Sequence, residues 1–348
     1  MRQIARVADI RWYFILQAFG LALAAFGLVG FFLYLFGHNP IRAYLELFQG
    51  SLGSAYGRSE VLVRAIPLML CAAATAIPAR IGLLNVGAEG QLHVGALAAT
   101  WGALTFSTLP AHTLIPLLVL LGILGGAVAA LVPALLRTGF GANETITTLL
   151  LNYVIALIVE YMVRGPWKDP TAFNWPYTPE FSAAARLSFY GTTRIHAGLW
   201  FALIGLLLFY FVLRKTRVGY EIRVIGDNPE AARRAGIPIV RYILLTMCVG
   251  GAMAGLAGMA EVSAIQGRLR PGISAGFGYT GFLVSWLALH HPLGIVVMAL
   301  LFGVVSVGGD MIQIGLNLPY ATVNILMALI FFVVLGSGFL KKEARQPL

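Results

Sequence analysis

The chain has 348 residues, of which 59% are apolar and only 11% charged, with a formal net charge of +10. Ordinary soluble domains carry about 45–50% apolar and about 25% charged residues, so a water-facing surface of the usual kind is excluded. The positive charges sit at the ends of apolar runs, as membrane topology signals do, so nucleic acid is not expected as a partner.

A hydrocarbon layer about 30 Å thick takes about 20 apolar residues in helical form. The first run, 12–36, exceeds the roughly 7–15 residues of a signal-peptide core. Its small-residue triplet Ala22-Leu23-Ala24 lies mid-run, so the segment reads as an uncleaved first span. Further runs follow at 61–79, 82–107, 113–136, 142–163, 197–213, 242–265, 277–290, 292–309 and 321–340. The predicted fold is an all-α polytopic transmembrane bundle of about ten spans, a single domain over 1–348.

With the N-terminus inside, fifteen of the 24 Lys and Arg residues fall on the cytoplasmic side. Seven of them lie within 214–241, and Lys341, Lys342 and Arg345 follow the last run. An even span count leaves both termini cytoplasmic.

Two connections are long. Residues 164–196, placed outside, contain Trp167, Phe173, Trp175, Tyr177 and four prolines, which predicts a structured interfacial cap. Residues 214–240, placed inside, are strongly basic and hold a short helix signal. Asp227 or Asn228 is suited to cap that helix, Pro229 to its first turn, and Gly236 with Pro238 to its end.

Small-residue pairs four apart, Gly122 with Gly126, Gly251 with Gly255 and Ala254 with Gly258, predict close helix packing within one subunit. Cys71 and Cys248 lie in apolar runs and read as buried thiols.

Three stretches carry the polar chemistry. Residues 82–91 put Asn85, Glu89 and Gln91 among three glycines where a helix should enter the membrane. Irregular backbone at that depth is tolerated only inside protein or beside a wet cavity, so a broken or re-entrant element is expected. Glu89 and His93 share a helix face, but a third ligand is lacking, and no metal site is expected. In 143–152, Glu144, Thr148 and Asn152 recur every four residues as one polar stripe on an apolar helix. Two readings stay open for the stripe: the wall of a polar-solute route, or interhelical hydrogen bonding for structure alone. Glu160 and Glu261 lie near outer span ends, where interfacial water accounts for them. The third stretch, 226–237, places small Ala231 and Ala232 on a short helix suited to a partner's groove, with Glu230, Arg233 and Gly236 around them.

At these stretches the chain resembles permease subunits of ATP-binding-cassette importers, in the branch with branched-chain amino acid, ribose-type sugar and nucleoside permeases. The pattern E-A-A-x-x-x-G at Glu230–Gly236 matches the loop such permeases insert into their ATPase, and GLLNVGAEGQ and NETITTLLLN resemble the nucleoside and simple-sugar group. The resemblance spans about 60–340. Two departures stand out: no Ile-x-Leu-Pro tail follows Gly236, and Trp286 replaces a small residue.

The resemblance implies a cytoplasmic ATPase, a second homologous permease subunit, an external solute-binding lipoprotein and a small polar solute. It also implies a multi-pass protein of the bacterial inner membrane. None of the four lysines lies in a G-x-x-x-x-G-K-[ST] loop, so ATP falls to the partner. No catalytic residue, cofactor or metal is expected. Asn85, Glu89, Gln91, Glu144, Thr148 and Asn152 are the pathway candidates, and Glu230, Ala231, Ala232, Arg233 and Gly236 the coupling candidates. The alternative is a proton-coupled transporter in which Glu89, His93 and Glu144 relay protons.

Overall fold

The computed structural model describes residues 27–35, 37–316, 325, 328 and 329. Among them the chain is helical, with a single isolated bridge between Phe189 and His196 and no strand. The runs 12–36 and 321–340 lie largely outside the described residues. The helices are α1 (27–35), α2 (Pro40–Phe48), α3 (Ala55–Ala79), α4 (Ala88–Thr105), α5 (Ala111–Phe140) and α6 (Glu144–Arg164), then α7 (Gly198–Lys215), α8 (Arg217–Asp227), α9 (Pro229–Arg234), α10 (Ile239–Ala260), α11 (Phe277–Leu287) and α12 (Pro292–Leu316).

Among the described residues six helices are long and apolar enough to cross a membrane: α3, α5, α6, α7, α12, and α10 together with the π-helical turn Glu261–Gln266. The run 277–290 becomes the 11-residue α11, about 16 Å long, which falls short of a layer about 30 Å thick. Its end has a backbone cause. Leu289 and His290 both take positive φ, 50° and 56°, so the helix stops before Pro292 opens α12. The expected break at 82–91 is present as turn and extended backbone over 80–87, between the end of α3 and the start of α4.

The described chain forms two compact units. The smaller, residues up to 61 and from 301, has a core of Val29, Leu33, Ala43, Leu47 and Ile312. The larger, 62–300, is built on α4, α5 and α10. Glycines let these three backbones touch. A Cβ on Gly126 would overlap the carbonyl oxygen of Gly251, and one on Gly255 that of Gly122. The small-residue pairs thus pack within this chain, where dispersion between close backbones substitutes for the hydrophobic drive that lipid removes.

The 165–197 connection is ordered by backbone pairing with the chain that follows α10. Leu187 N–H donates to Ser263, Phe181 N–H to Gly267 and Thr178 N–H to Leu269. Trp175 and Tyr177 stack at 5.8 Å, and the Arg268 guanidinium lies 4.6 Å from the Tyr177 ring centre. The aromatic content of this segment therefore serves a folded cap.

Candidate functional site

The broken segment 80–87 has backbone groups that no helix satisfies, and the α6 stripe satisfies them. Glu144 accepts the Leu84 N–H at 3.3 Å, and Thr148 Oγ1 accepts the Val86 N–H at 3.3 Å. Asn152 bridges both sides of the break: its Nδ2 donates to the Val86 carbonyl at 3.0 Å and its Oδ1 accepts the Gly90 N–H at 2.8 Å. Successive members of the stripe thus meet main-chain groups along the irregular segment and the first turn of α4. Glu144 also pairs with Arg137 at 3.4 Å, at the end of α5.

Asn85 and Gln91 close the break from the other side. Asn85 Nδ2 donates to Gln91 Oε1 and Gln91 Nε2 to Asn85 Oδ1, both at 3.0 Å. Asn85 further accepts the Gly87 N–H at 3.0 Å and donates to the Ala74 carbonyl of α3 at 3.1 Å. Both side chains are buried, as are Glu89, Glu144, Thr148 and Asn152. Five of the six residues singled out in two distant stretches thus gather on the break as a polar layer, with Glu89 buried in the adjoining first turn of α4.

A second helix end meets this layer. Glu89, in the first turn of α4, accepts the backbone N–H of Gly278 at 2.7 Å, in the first turn of α11. Gly278 is needed there, because a Cβ would overlap the Glu89 backbone. From that point α11 runs beside α3: Gly281 abuts Cys71, and Arg80 donates to the His290 carbonyl. Tyr279, one residue past Gly278, accepts a 3.4 Å bond from Asn152. Sequence reading missed α11 altogether as a partner, since the run 277–290 contains no acidic or basic residue before its histidine pair.

The remaining polar residues are also placed, Glu261 against expectation. His93 turns its Nδ1 to the Glu89 main-chain oxygen, 2.7 Å away, and so is directed along its own helix. Among the described residues no three His, Cys, Asp or Glu side chains gather as a metal set. Glu261, placed in interfacial water by its position, is buried, with Gln266 donating to it at 3.3 Å across the π-helical turn. Glu160 is half-exposed and pairs with Arg164 at 2.8 Å.

In the basic connection Asn228, of the two residues suited to the role, caps α9 by accepting the Glu230 and Ala231 N–H groups. Pro229 opens the helix, and Gly236 follows it at φ +74°, the left-handed conformation expected of a terminating glycine. Glu230, Ala231, Arg233 and Gly236 are exposed. Ala232, expected to face a partner with Ala231, is fully buried in this chain's own packing. A six-residue helix can present only one side outward, and Ala232 lies on the other.

A polytopic helical protein whose buried polar groups line a helix break, and which carries a basic connection with a short exposed helix, has the makings of a membrane permease. The chain belongs to the family described as branched-chain amino acid transport system / permease component, whose model matches residues 57–335. It is similar to the glucose ABC transporter permease protein TsgB13 of Haloferax volcanii, 38% identical over 92% of this chain and 87% of that protein. It is also similar to the nucleoside ABC transporter permease protein NupB of Lactococcus lactis, 34% identical over 86% of this chain and 84% of that one. The guanosine ABC transporter permease protein NupP of Bacillus subtilis is 30% identical over 88% and 91%. The chain is thus a multi-pass ABC transporter permease component of the nucleoside and simple-sugar family, and not an enzyme. Such a component works with an ATPase, and family membership favours that reading over the proton-coupled alternative.

Proposed function

We propose that this permease forms, as one domain over 1–348, the route by which a nucleoside or simple sugar is imported through the bacterial inner membrane. The observation that carries the reading is the convergence of the α4 and α11 N-termini on the polar layer built by 80–87 and α6. Discontinuous helices meeting inside a bundle are how transporters present backbone dipoles to a polar solute at membrane depth. Asn85, Glu89, Gln91, Glu144, Thr148 and Asn152 form the gate of that route, moving as the broken segment moves.

About ten passes follow, with 12–36 and 321–340 as the first and last. The eighth is composite, the chain of 267–276 descending before α11 completes it. Both termini are cytoplasmic, 164–196 is the external loop that meets a solute-binding lipoprotein, and 214–240 is the cytoplasmic coupling loop. There the exposed Glu230, Ala231, Arg233 and Gly236 engage an ATP-binding-cassette ATPase, with Ala232 anchoring the helix from beneath. A second homologous permease completes the pair. ATP-driven closure of the ATPases shifts α9, and the rigid spans carry the shift to the gate.

The test is reconstitution of the permease with its ATPase, partner permease and lipoprotein in proteoliposomes, measuring uptake of radiolabelled guanosine and glucose. Uptake is expected to need ATP and to survive collapse of the proton gradient. Uptake that proceeds without ATP, or that vanishes with the gradient, overturns the reading.

A further inference from the structure

Between the start of α8 and the start of α10 lies an open groove of about 790 Å³, lined by Arg217, Val218, Glu221, Arg241, Tyr242 and Leu245 among others. We propose that it is a binding site for an anionic phospholipid, with the phosphate headgroup between Arg217 and Arg241 and an acyl chain along α10. Gly236 of the coupling loop also lines the groove, but the residues that would hold the lipid take no part in the gating and coupling scheme above.

The groove sits where two membrane spans have their polar ends, α7 finishing at Lys215 and α10 beginning at Ile239. That is headgroup depth whichever way the chain is oriented. Its acid is already satisfied. Glu221 pairs with Arg217 Nε at 2.8 Å and accepts the Tyr242 hydroxyl at 2.6 Å. The Tyr242 hydroxyl, and then Arg217, hold the Glu221 carboxyl below its ordinary range, so it stays ionised and internally paired. The guanidinium of Arg217 engages it through Nε, and Arg241 is exposed on the opposite wall. Lys215 and Arg223 add positive charge on the same connection.

The apolar side of the site has the shape of a lipid. Arg241, Leu245 and Val249 are four residues apart and share one face of α10. Leu245 and Val249 are 44% and 41% exposed, and Val218 is 37% exposed at the groove. A cation at the polar end of an exposed apolar stripe fits a molecule with a phosphate at one end and a hydrocarbon chain at the other. Inorganic phosphate or a nucleotide would use the arginines but leave the stripe uncovered. Basic recesses between transmembrane helices at the headgroup level attract anionic lipids in this way.

The permease complex in nanodiscs of phosphatidylcholine with or without phosphatidylglycerol, released into native mass spectrometry, tests the site. Phosphatidylglycerol is expected to stay bound while phosphatidylcholine is lost. Each basic residue near an anionic headgroup is worth roughly a factor of five in affinity, so Arg217→Gln with Arg241→Gln should lower retention about 25-fold. Lys215→Gln with Arg223→Gln removes the same charge from outside the groove and should change retention little. An equal loss in both double variants overturns the proposal, since general surface charge would then explain the binding. So does release of bound lipid by inorganic phosphate or ATP at concentrations that match free phosphatidylglycerol, or equal retention of the two lipids by the unmodified protein. Lipid retention is read without transport, so failure here leaves the import reading untouched.

Discussion

The carboxylate of Glu89 accepts the main-chain N–H of Gly278, 189 residues away, at 2.7 Å. Two helix N-termini, those of α4 and α11, therefore share one buried acidic side chain. Each N-terminus leaves N–H groups without intrahelical partners and carries a partial positive charge, and a carboxylate answers both. The contact is close because Gly278 has no Cβ to hold the helices apart.

Replacing Glu89 by Leu should leave the Gly278 N–H buried without an acceptor, a cost of about 1–3 kcal/mol. Glu89→Gln keeps an acceptor and should stay within about 1 kcal/mol of the parent. Thermal unfolding in detergent, followed by tryptophan fluorescence, should rank the parent above Gln and Gln above Leu. A Leu variant as stable as the parent would show that the shared carboxylate contributes nothing to the junction.

On α6 the side chains are predicted to differ in weight. Asn152 satisfies one donor and one acceptor across the break, whereas Thr148 satisfies one donor across it. Interhelical polar contacts within membranes average about 0.6 kcal/mol and reach about 1.7. Asn152→Leu should therefore destabilise more than Thr148→Val, and Glu144→Leu should abolish uptake at normal abundance if the layer gates the route. Loss of abundance in Glu144→Leu would assign the stripe to structure alone.

Burial of Ala232 decides which coupling variant is informative. Ala231→Trp adds bulk to the outward side and should give an inserted permease that no longer co-purifies with its ATPase. Gly236→Val should do the same, because a β-branched residue at φ +74° is strongly disfavoured. Ala232→Trp should instead lower stability, since overpacking costs about 1–3 kcal/mol. Full ATPase association in both Ala231→Trp and Gly236→Val would remove α9 from the interface.

His196 sets a pH limit on the cap. It is buried, and burial first and Arg194 second pull its pKa down to about 4 from the ordinary 6.5. The unfolded chain binds this proton more readily than the folded one, so stability is lost as pH falls from 6.5 towards 4. The full loss approaches about 3 kcal/mol at pH 4. Hydrogen exchange at the Tyr190 amide, which bonds to Ile195 beside the Phe189–His196 bridge, should accelerate over that window. His196→Gln should flatten the acceleration, and an unchanged profile in that variant would assign the sensitivity elsewhere.

By itself the sequence determined the solvent and the local breaks. A 59% apolar chain with 11% charge has to sit in lipid, and polar residues with glycines at 82–91 have to interrupt a helix there. It also narrowed the cap of α9 to Asp227 or Asn228 and marked Gly236 for the helix end, because Asx and Gly residues act through their own backbone neighbours. Only the tertiary structure decided which groups meet. Whether Glu144, Thr148 and Asn152 would face lipid, solute or protein depended on a partner 60 or more residues away, and the partner is main chain, which no side-chain pattern advertises. Glu261 reads as an interfacial acid, yet in the fold it is buried, just before the chain that pairs with the cap segment. α11 reads as a span until Leu289 and His290 turn left-handed, a conformation uncommon for any residue but glycine and rare for a branched side chain such as Leu289, so that its surroundings must impose it. Periodicity reports on which side of a helix is apolar, and it is silent on what each polar side will find.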